Sequence, residues 1–223
     1  MDLRRFYSRH GELESTWEDA YSYDPTPFSE IWARMDAVGA FRTGFTASPF
    51  GLTEGTPGLN TIHISPQADT AEGVALGEIY DADEYTDRLV NLSTRAWVGT
   101  GNEILICGFV VGGDAPLSLL IRGVGPGLVP FGVPDTLTDP VLQLIDATGS
   151  VISINDNWKD STNMAALAQA SAAHTFPLEE QSSDAALLIT LEPGHYTALL
   201  QGKNGGTGIG LVELYEVPAP LSP

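Results

Sequence analysis

Lysine is almost missing from this chain: Lys159 and Lys203 are the only two. With a formal net charge of −19, the protein lacks the basic face that phosphate contacts need, so nucleic acid is excluded as a partner. The same balance argues against an anionic membrane surface. Cysteine is as scarce. Cys107 stands alone, which rules out a disulfide within the chain, and its place in the apolar run ILICGFVV predicts a buried, inert thiol. No apolar stretch is long enough to span a bilayer, so membrane insertion is not expected. The opening MDLRRFYSRHGELES carries positive charge with no apolar segment behind it and does not read as a secretion signal. An export signal for the parent protein is expected outside these residues.

Catalytic patterns are missing too. There is no G-x-S-x-G, and His10, His63, His174 and His195 show no metal-ligand spacing such as H-x-x-x-H. GVGPG at 123–127 follows the apolar LLIR and invites comparison with a dinucleotide-binding loop. That motif needs a helix opening at its last glycine to hold the pyrophosphate. The chain continues LVPFGVPDTLTDP instead, and Pro130, Pro134 and Pro140 exclude a long helix. A wide turn is the expectation.

What the sequence does contain is a repeat. GVALGEIYD (73–81) returns as GIGLVELYE (208–216). Pro57-Gly58 stands to NTIHI as Pro193-Gly194 stands to YTALL, and MDAVGAF ending at Phe41 answers SAAHTF ending at Phe176. Trp17-Glu18-Asp19 and FYSRHG answer Trp158-Lys159-Asp160 and LIDATG less closely. This places the back part of a repeat unit at 1–81, an acidic linker at 82–87, a complete unit at 88–217 and a Pro-rich tail at 218–223. The partial unit lacks counterparts of RLVNLSTRAWV, EILICGFVV and LSLLIRGV. It is therefore expected to be the less ordered of the two, or to take cover from elsewhere, with intermolecular pairing as one route.

The complete unit reads as strand. Those three segments are joined by VLQLIDA, SVISI, AALLITL, HYTALLQ and GIGLVELYE, all rich in β-branched and aliphatic residues and bounded by Gly, Pro, Asn or Asp. One helix is predicted over 162–173, with Asp160 or Ser161 as its cap. The fold class is all-β: an antiparallel two-sheet sandwich of jelly-roll type with one short helix. Alternation places Leu105, Cys107, Leu119, Ile121, Leu142, Leu144, Leu187, Ile189, Leu199 and Leu211 inside.

In their order, RLVNLSTRAWVGTG, GFVVGG, LLIRGVGPGL, DPVLQLID, NDNW, SDAALLITLEPGHYTALLQG and TGIGLVELYE make the chain resemble a β-sandwich repeat domain of large secreted bacterial proteins. DPVLQLIDATGSVISIND with LEPGHYTALLQG is, more loosely, similar to the bacterial pre-peptidase C-terminal domain. The resemblance implies an exported, non-catalytic module at the cell surface or outside the cell.

Two groups carry candidate ligand chemistry. Asn155, Asp156, Asn157 and Asp160 of the NDNWKD loop, with Asp146 from a neighbouring strand end, supply the hard oxygens that calcium prefers. The competing reading is a turn and helix cap closed by Asn and Asp alone. Asp81, Asp83, Glu84 and Asp87 form a second acidic group, read as a solvated hinge, with a bound cation that stiffens the linker as the alternative. Trp97, Trp158, Tyr196 and Phe131 are candidates for stacking on sugar rings, with Trp158, in a polar loop, the one expected to be exposed. Three functions remain open: a spacer, adhesion or carbohydrate-contact module whose partners are polysaccharide or other surface proteins; an ancillary carbohydrate-binding domain of a secreted hydrolase; and a sandwich hydrolase with a carboxylate site.

Overall fold

A computed structural model of the chain describes residues 2–7, 13–15, 28–38, 60–65, 73–80 and 89–218. The acidic linker at 82–87, Phe41, Trp17, His10 and residues 219–223 of the tail lie outside the described residues. The chain divides into two compact units, residues 1–88 and 89–223.

In the first unit, strands β1 (Asp2–Tyr7), β2 (Leu13–Ser15) and β3 (Thr61–Ser65) form an antiparallel sheet in the order β2-β1-β3. Helix α1 (Phe28–Val38) lies between β2 and β3 in sequence. Residues 73–80 belong to no strand, and their side chains are exposed.

The second unit has eight strands: β4 (Asn91–Val98), β5 (Leu105–Val111), β6 (Leu117–Val124), β7 (Pro140–Asp146), β8 (Val151–Asn155), β9 (Ala185–Leu191), β10 (Gly194–Gly202) and β11 (Gly208–Glu216). Each expected strand segment yields one of them. They form two antiparallel sheets, β5-β10-β7-β8 and β4-β11-β6-β9. The pairs β4–β11, β5–β10, β6–β9 and β7–β8 are nested one inside the next. The nested ribbon rolls into two layers through the pairs β10–β7 and β11–β6, which is the jelly-roll arrangement.

Leu105, Cys107, Leu119, Ile121, Leu142, Leu144 and Leu187 are buried in the core between the sheets, and Ile189 is half-buried against it. Burial pushes the Cys107 thiol up to about 11, so it holds its proton and stays unreactive. Leu199 and Leu211 are corrections. Side chains directly opposite in a ladder share a face. Because Leu200 pairs with Leu142 and Ala198 with Leu144, β10 buries Ala198 and Leu200 and turns Leu199 outward. In β11 the residues inside are Val212 and Leu214, not Leu211. Both strands carry apolar residues at both parities (TALL, GLVEL), so alternation alone left their phase undetermined.

Helix α2 (Met164–His174) covers the outer face of β6 and β9. Leu167 packs there with Leu120, Ala186, Val217 and Trp158 in a second small core. Strand β6 is thus buried on both faces, which explains its uninterrupted apolar run. The expected caps do not form. The helix N-cap is Asn163, without a side-chain cap bond; its amide donates to Leu188 O (2.9 Å), and the Ser161 hydroxyl donates to Asn163 Oδ1 (2.7 Å).

The two units repeat one pairing scheme. Phe6 opposes Ser15 and Tyr7 opposes Leu13, with a bulge between the two pairs. In the second unit Leu144 opposes Ser153 and Ile145 opposes Val151, with the same bulge. Phe6–Ile62 and Tyr7–Thr61 answer Leu144–Ala198 and Ile145–Thr197 in the same way. The sheet β2-β1-β3 therefore reproduces β8-β7-β10, and α1 and α2 are each 11 residues long.

The observed phase of β10 gives a direct test. Leu200→Ala should cost about 2–5 kcal/mol, as for a fully buried leucine, while Leu199→Ala should cost about 1 kcal/mol or less. Urea denaturation of both variants measures the difference, and equal costs would show that the phase is wrong.

Candidate functional site

The NDNWKD loop begins where β8 ends and crosses from one sheet to the other. Asn155 makes the crossing: its Oδ1 accepts from Ala186 N on β9 (2.9 Å), and its Nδ2 donates to Asn157 O (2.9 Å). The Trp158 backbone N–H donates to Asp184 O (2.8 Å). Trp158 is itself buried, at 6% exposure, with its indole N–H donating to Glu179 O (3.2 Å). It is not the exposed aromatic that its polar neighbours suggested. Asn155 and Lys159 bind backbone groups, and the indole is buried beside them.

The five proposed calcium ligands are not gathered at one point. Asp146 sits at the far end of the β7–β8 hairpin from Asn155, four residues of strand and so roughly 13 Å away. There its Oδ1 accepts from Thr148 N (2.8 Å), Thr148 Oγ1 (2.6 Å) and Ser150 N (3.0 Å). Those bonds, led by the Thr148 hydroxyl, hold its pKa below the ordinary value. Asp156 accepts from Lys203 Nζ at 2.7 Å, which lowers the carboxyl pKa and raises that of the lysine. Lys203 also lies 3.8 Å from Asp139. Asp160 donates its backbone N–H to Asn157 O (3.0 Å), closing a single 3₁₀ turn over Trp158–Asp160. Among the described residues, no group of three or more His, Cys, Asp or Glu is placed to hold a metal ion.

A buried polar cluster escaped the sequence reading. Asp184, fully buried, accepts from Gly125 N (2.8 Å) and Gly127 N (3.2 Å), and its other oxygen accepts from the Ser182 hydroxyl. The GVGPG amides thus hold an anion, but it is a carboxylate of the same chain. A Cβ at Gly125 would strike Leu137 O, and one at Gly127 would come within 2.7 Å of Asp184 Oδ2. The loop continues as a short 3₁₀ turn over Pro126–Phe131, where an open turn was expected.

Arg122, at 0% exposure, lies beneath the end of α2. Its Nη1 donates to Phe176 O (2.8 Å) and Ser171 Oγ (3.3 Å), and its guanidinium stacks 4.1 Å from the Phe176 ring centroid. Its Nε approaches Glu213 Oε2 to 3.4 Å across the β6–β11 ladder. This is an ion pair by distance but not an aligned hydrogen bond, since neither atom has a hydrogen-bond partner among the described residues. Tyr215 completes the group, its hydroxyl donating to Glu213 Oε1 (2.8 Å). Burial lowers the pKa of Arg122, while Glu213, Tyr215 and Asp184 favour its charged form. The signals were present in sequence as single polar residues in or beside apolar runs, LSLLIRGV and SDAALL.

The exposed features are flat. On the outer face of β5-β10-β7-β8, Ile106, Val110 and Ile154 are each more than half exposed. Trp97 of β4 is 56% exposed; Phe131, 62% exposed, sets its ring edge-on to Phe176 with centroids 4.9 Å apart, and Tyr196 stacks on Phe109 with ring centroids 5.7 Å apart. A depression of about 210 Å³ between residues 99–104 and 201–205 is lined largely by glycine and polar residues. His195 is exposed on β10, and no second catalytic group is bonded to it among the described residues.

Comparison with known proteins gives only a loose likeness among solved structures. No family model matches the chain, and neither does any curated protein. Among solved structures, the pre-peptidase C-terminal domain of collagenase from Bacillus anthracis is similar, at 9% sequence identity and a TM-score of 0.35 over 56% of this chain and 89% of that one. The likeness to that domain is loose. The all-β sandwich rests on the strand pairing itself.

Removing the Asp184 carboxylate leaves two buried amides and a hydroxyl without their acceptor, so Asp184→Ala should cost roughly 3 kcal/mol. Asp184→Asn, which keeps one acceptor oxygen, should cost less; chemical denaturation ranks the two. For the NDNWKD loop, melting temperatures in millimolar calcium and in chelator should agree, because a ligand raises stability only if it binds the folded state. A calcium-dependent rise that disappears in Asp156→Ala would make the loop a metal site.

Proposed function

We propose that the chain is a non-catalytic β-sandwich repeat module of an exported bacterial protein, working by surface contact as a spacer, adhesion or carbohydrate-contact domain. The observation that carries this reading is the open outer face of β5-β10-β7-β8. Helix α2 and the Trp158 loop cover part of the opposite sheet, while Ile106, Val110 and Ile154 on this one stand more than half exposed. A flat aliphatic face buries area against another flat surface, whereas a small substrate needs a concave site that encloses it. Export is supported by the acidic, lysine-poor composition and by the resemblance to secreted repeat domains.

A second reading, an ancillary carbohydrate-binding domain of a secreted hydrolase, is favoured by Trp97, an indole on the outer side of edge strand β4 that offers a ring face to a sugar. Polysaccharide affinity gels and surface-protein binding measurements distinguish the two. Ile106→Asp with Ile154→Asp should leave the fold intact, because both side chains are exposed, yet abolish contact through the open face. Loss of polysaccharide retention in Trp97→Ala alone would move the function to β4. Glycoside turnover by the wild-type chain, removed by replacing a single carboxylate, would overturn the non-catalytic reading.

A further inference from the structure

An antiparallel sheet presents main-chain donors and acceptors at its edges, and an edge left bare is a template for a further strand. The second unit has four edge strands, β5 and β8 in one sheet and β4 and β9 in the other. Three of them are blunted. On β9, Ala186 N donates to Asn155 Oδ1, while Asp184 O and Leu188 O accept from Trp158 N and Asn163 Nδ2. β8 is five residues long and bulged against β7, and a bulge twists an edge away from a partner. β4 carries the exposed Arg95.

β5 has none of these devices. Its seven residues, LICGFVV, hold no charge and no proline. The register with β10 runs without a bulge from Leu105–Leu200 to Val111–Gly194. Ile106 and Val110 are 57% and 63% exposed, and Gly108 between them is exposed too. Among the described residues, no strand pairs with the side of β5 away from β10.

We propose that β5 is a self-association edge: two copies of the chain join antiparallel, β5 to β5, into one eight-stranded sheet with its two-fold axis at Gly108. Gly108 is the midpoint of Leu105–Val111, so a two-fold there leaves no residue of the strand unopposed. Ile106 then faces Val110 of the second copy, Leu105 faces Val111, and Cys107 faces Phe109. Apolar meets apolar on both faces of the sheet, as a self-complementary interface requires. Charge favours a second copy as the occupant. The acidic residues that flank the strand, Glu103 and Asp114, fall opposite Gly113 and Asn102, not opposite each other. Each end still brings Glu103 of one copy within a residue of Asp114 of the other, and each copy carries a net charge of −19. Salt that screens this repulsion should therefore tighten the pair. A ladder of seven residues buries less than about 1,200 Å², the size of a transient contact. The inference goes beyond the proposed function: it uses the edge of the sheet, and it holds whatever the open face binds.

The test uses the full chain. Sedimentation equilibrium should show monomer and dimer exchanging, with the dimer favoured as NaCl rises from about 0.05 M to about 0.5 M. Amide exchange at 105–111 should slow as protein concentration rises. Gly108→Cys reads the register. A Cβ at 108 meets only Tyr196 O, at 4.0 Å, so the fold is kept, and in the pair the two new thiols lie directly opposite, within reach of a disulfide. In Ile106→Cys the two thiols would lie four residues apart along the seam, roughly 13 Å, and out of reach. Mild oxidation should therefore link at least about tenfold more Gly108→Cys than Ile106→Cys. Cys107 is buried and holds its proton, so it does not compete. Ile106→Lys with Val110→Lys sets lysine against lysine and should leave the chain monomeric. A wild-type chain that stays monomeric at every concentration and salt overturns the proposal. So does equal linking of the two cysteine variants, or a dimer that persists unchanged in the double-lysine variant.

Discussion

The ladder between β6 and β11 is the joint on which the second unit depends. It closes the roll by pairing the last strand with one that both faces of the structure enclose. Leu119 and Ile121 on one side of β6 enter the main core, and Leu120 on the other packs under α2. Such a strand tolerates a charge only if the surroundings compensate it, since desolvating an unpaired ion costs several kcal/mol. Arg122 is compensated through Glu213, two oxygen acceptors and the Phe176 ring, although its Nε and Nη2 have no hydrogen-bond partner among the described residues. Because those partners come from β11, α2 and the segment after it, the arginine ties together three elements that hydrophobic contact alone would allow to slide. Asp184 acts similarly just beyond the same end of β6, binding the amides of the turn that leads out of it. Both groups do for geometry what the aliphatic core does for free energy.

Much of this architecture was legible in the residues. Short β-branched runs separated by Gly, Pro and Asn gave all eight strands, and the helix appeared within two residues of its expected start. Phase was harder. Where a strand carries leucine at adjacent positions, as β10 and β11 do, period two has no unique reading, and only the cross-strand partner decides. The polar residues were misjudged for a related reason. NDNWKD looks like a solvated acidic loop, yet Asn155 spends its side chain on backbone groups and Trp158 is inserted beneath it. A sequence shows which side chains can bind hard cations; it does not show which of their atoms the backbone has already taken. The cluster of Arg122, Asp184 and Glu213 is assembled across separations of tens of residues, so no local window contains it.

The repeated strand shows how far context governs β-structure. GVALGEIY and GIGLVELY have nearly the same propensities, and in both the tyrosine donates to the glutamate two residues before it. One is the centre of a four-stranded sheet; the other joins no sheet. Local preference therefore does not make the strand, in keeping with a β-propensity that chiefly measures fit to neighbouring strands. What the first unit does keep is informative about cause. The pairs it retains, β1–β2 and β1–β3, correspond to β7–β8 and β7–β10, and every strand in them lies within the stretch that is duplicated. Among the described residues, the pairs without a counterpart each need a strand from the stretch that is not duplicated. In the second unit both edges of β11 are bonded to strands distant in sequence, whose pairing carries the larger loop-closure entropy.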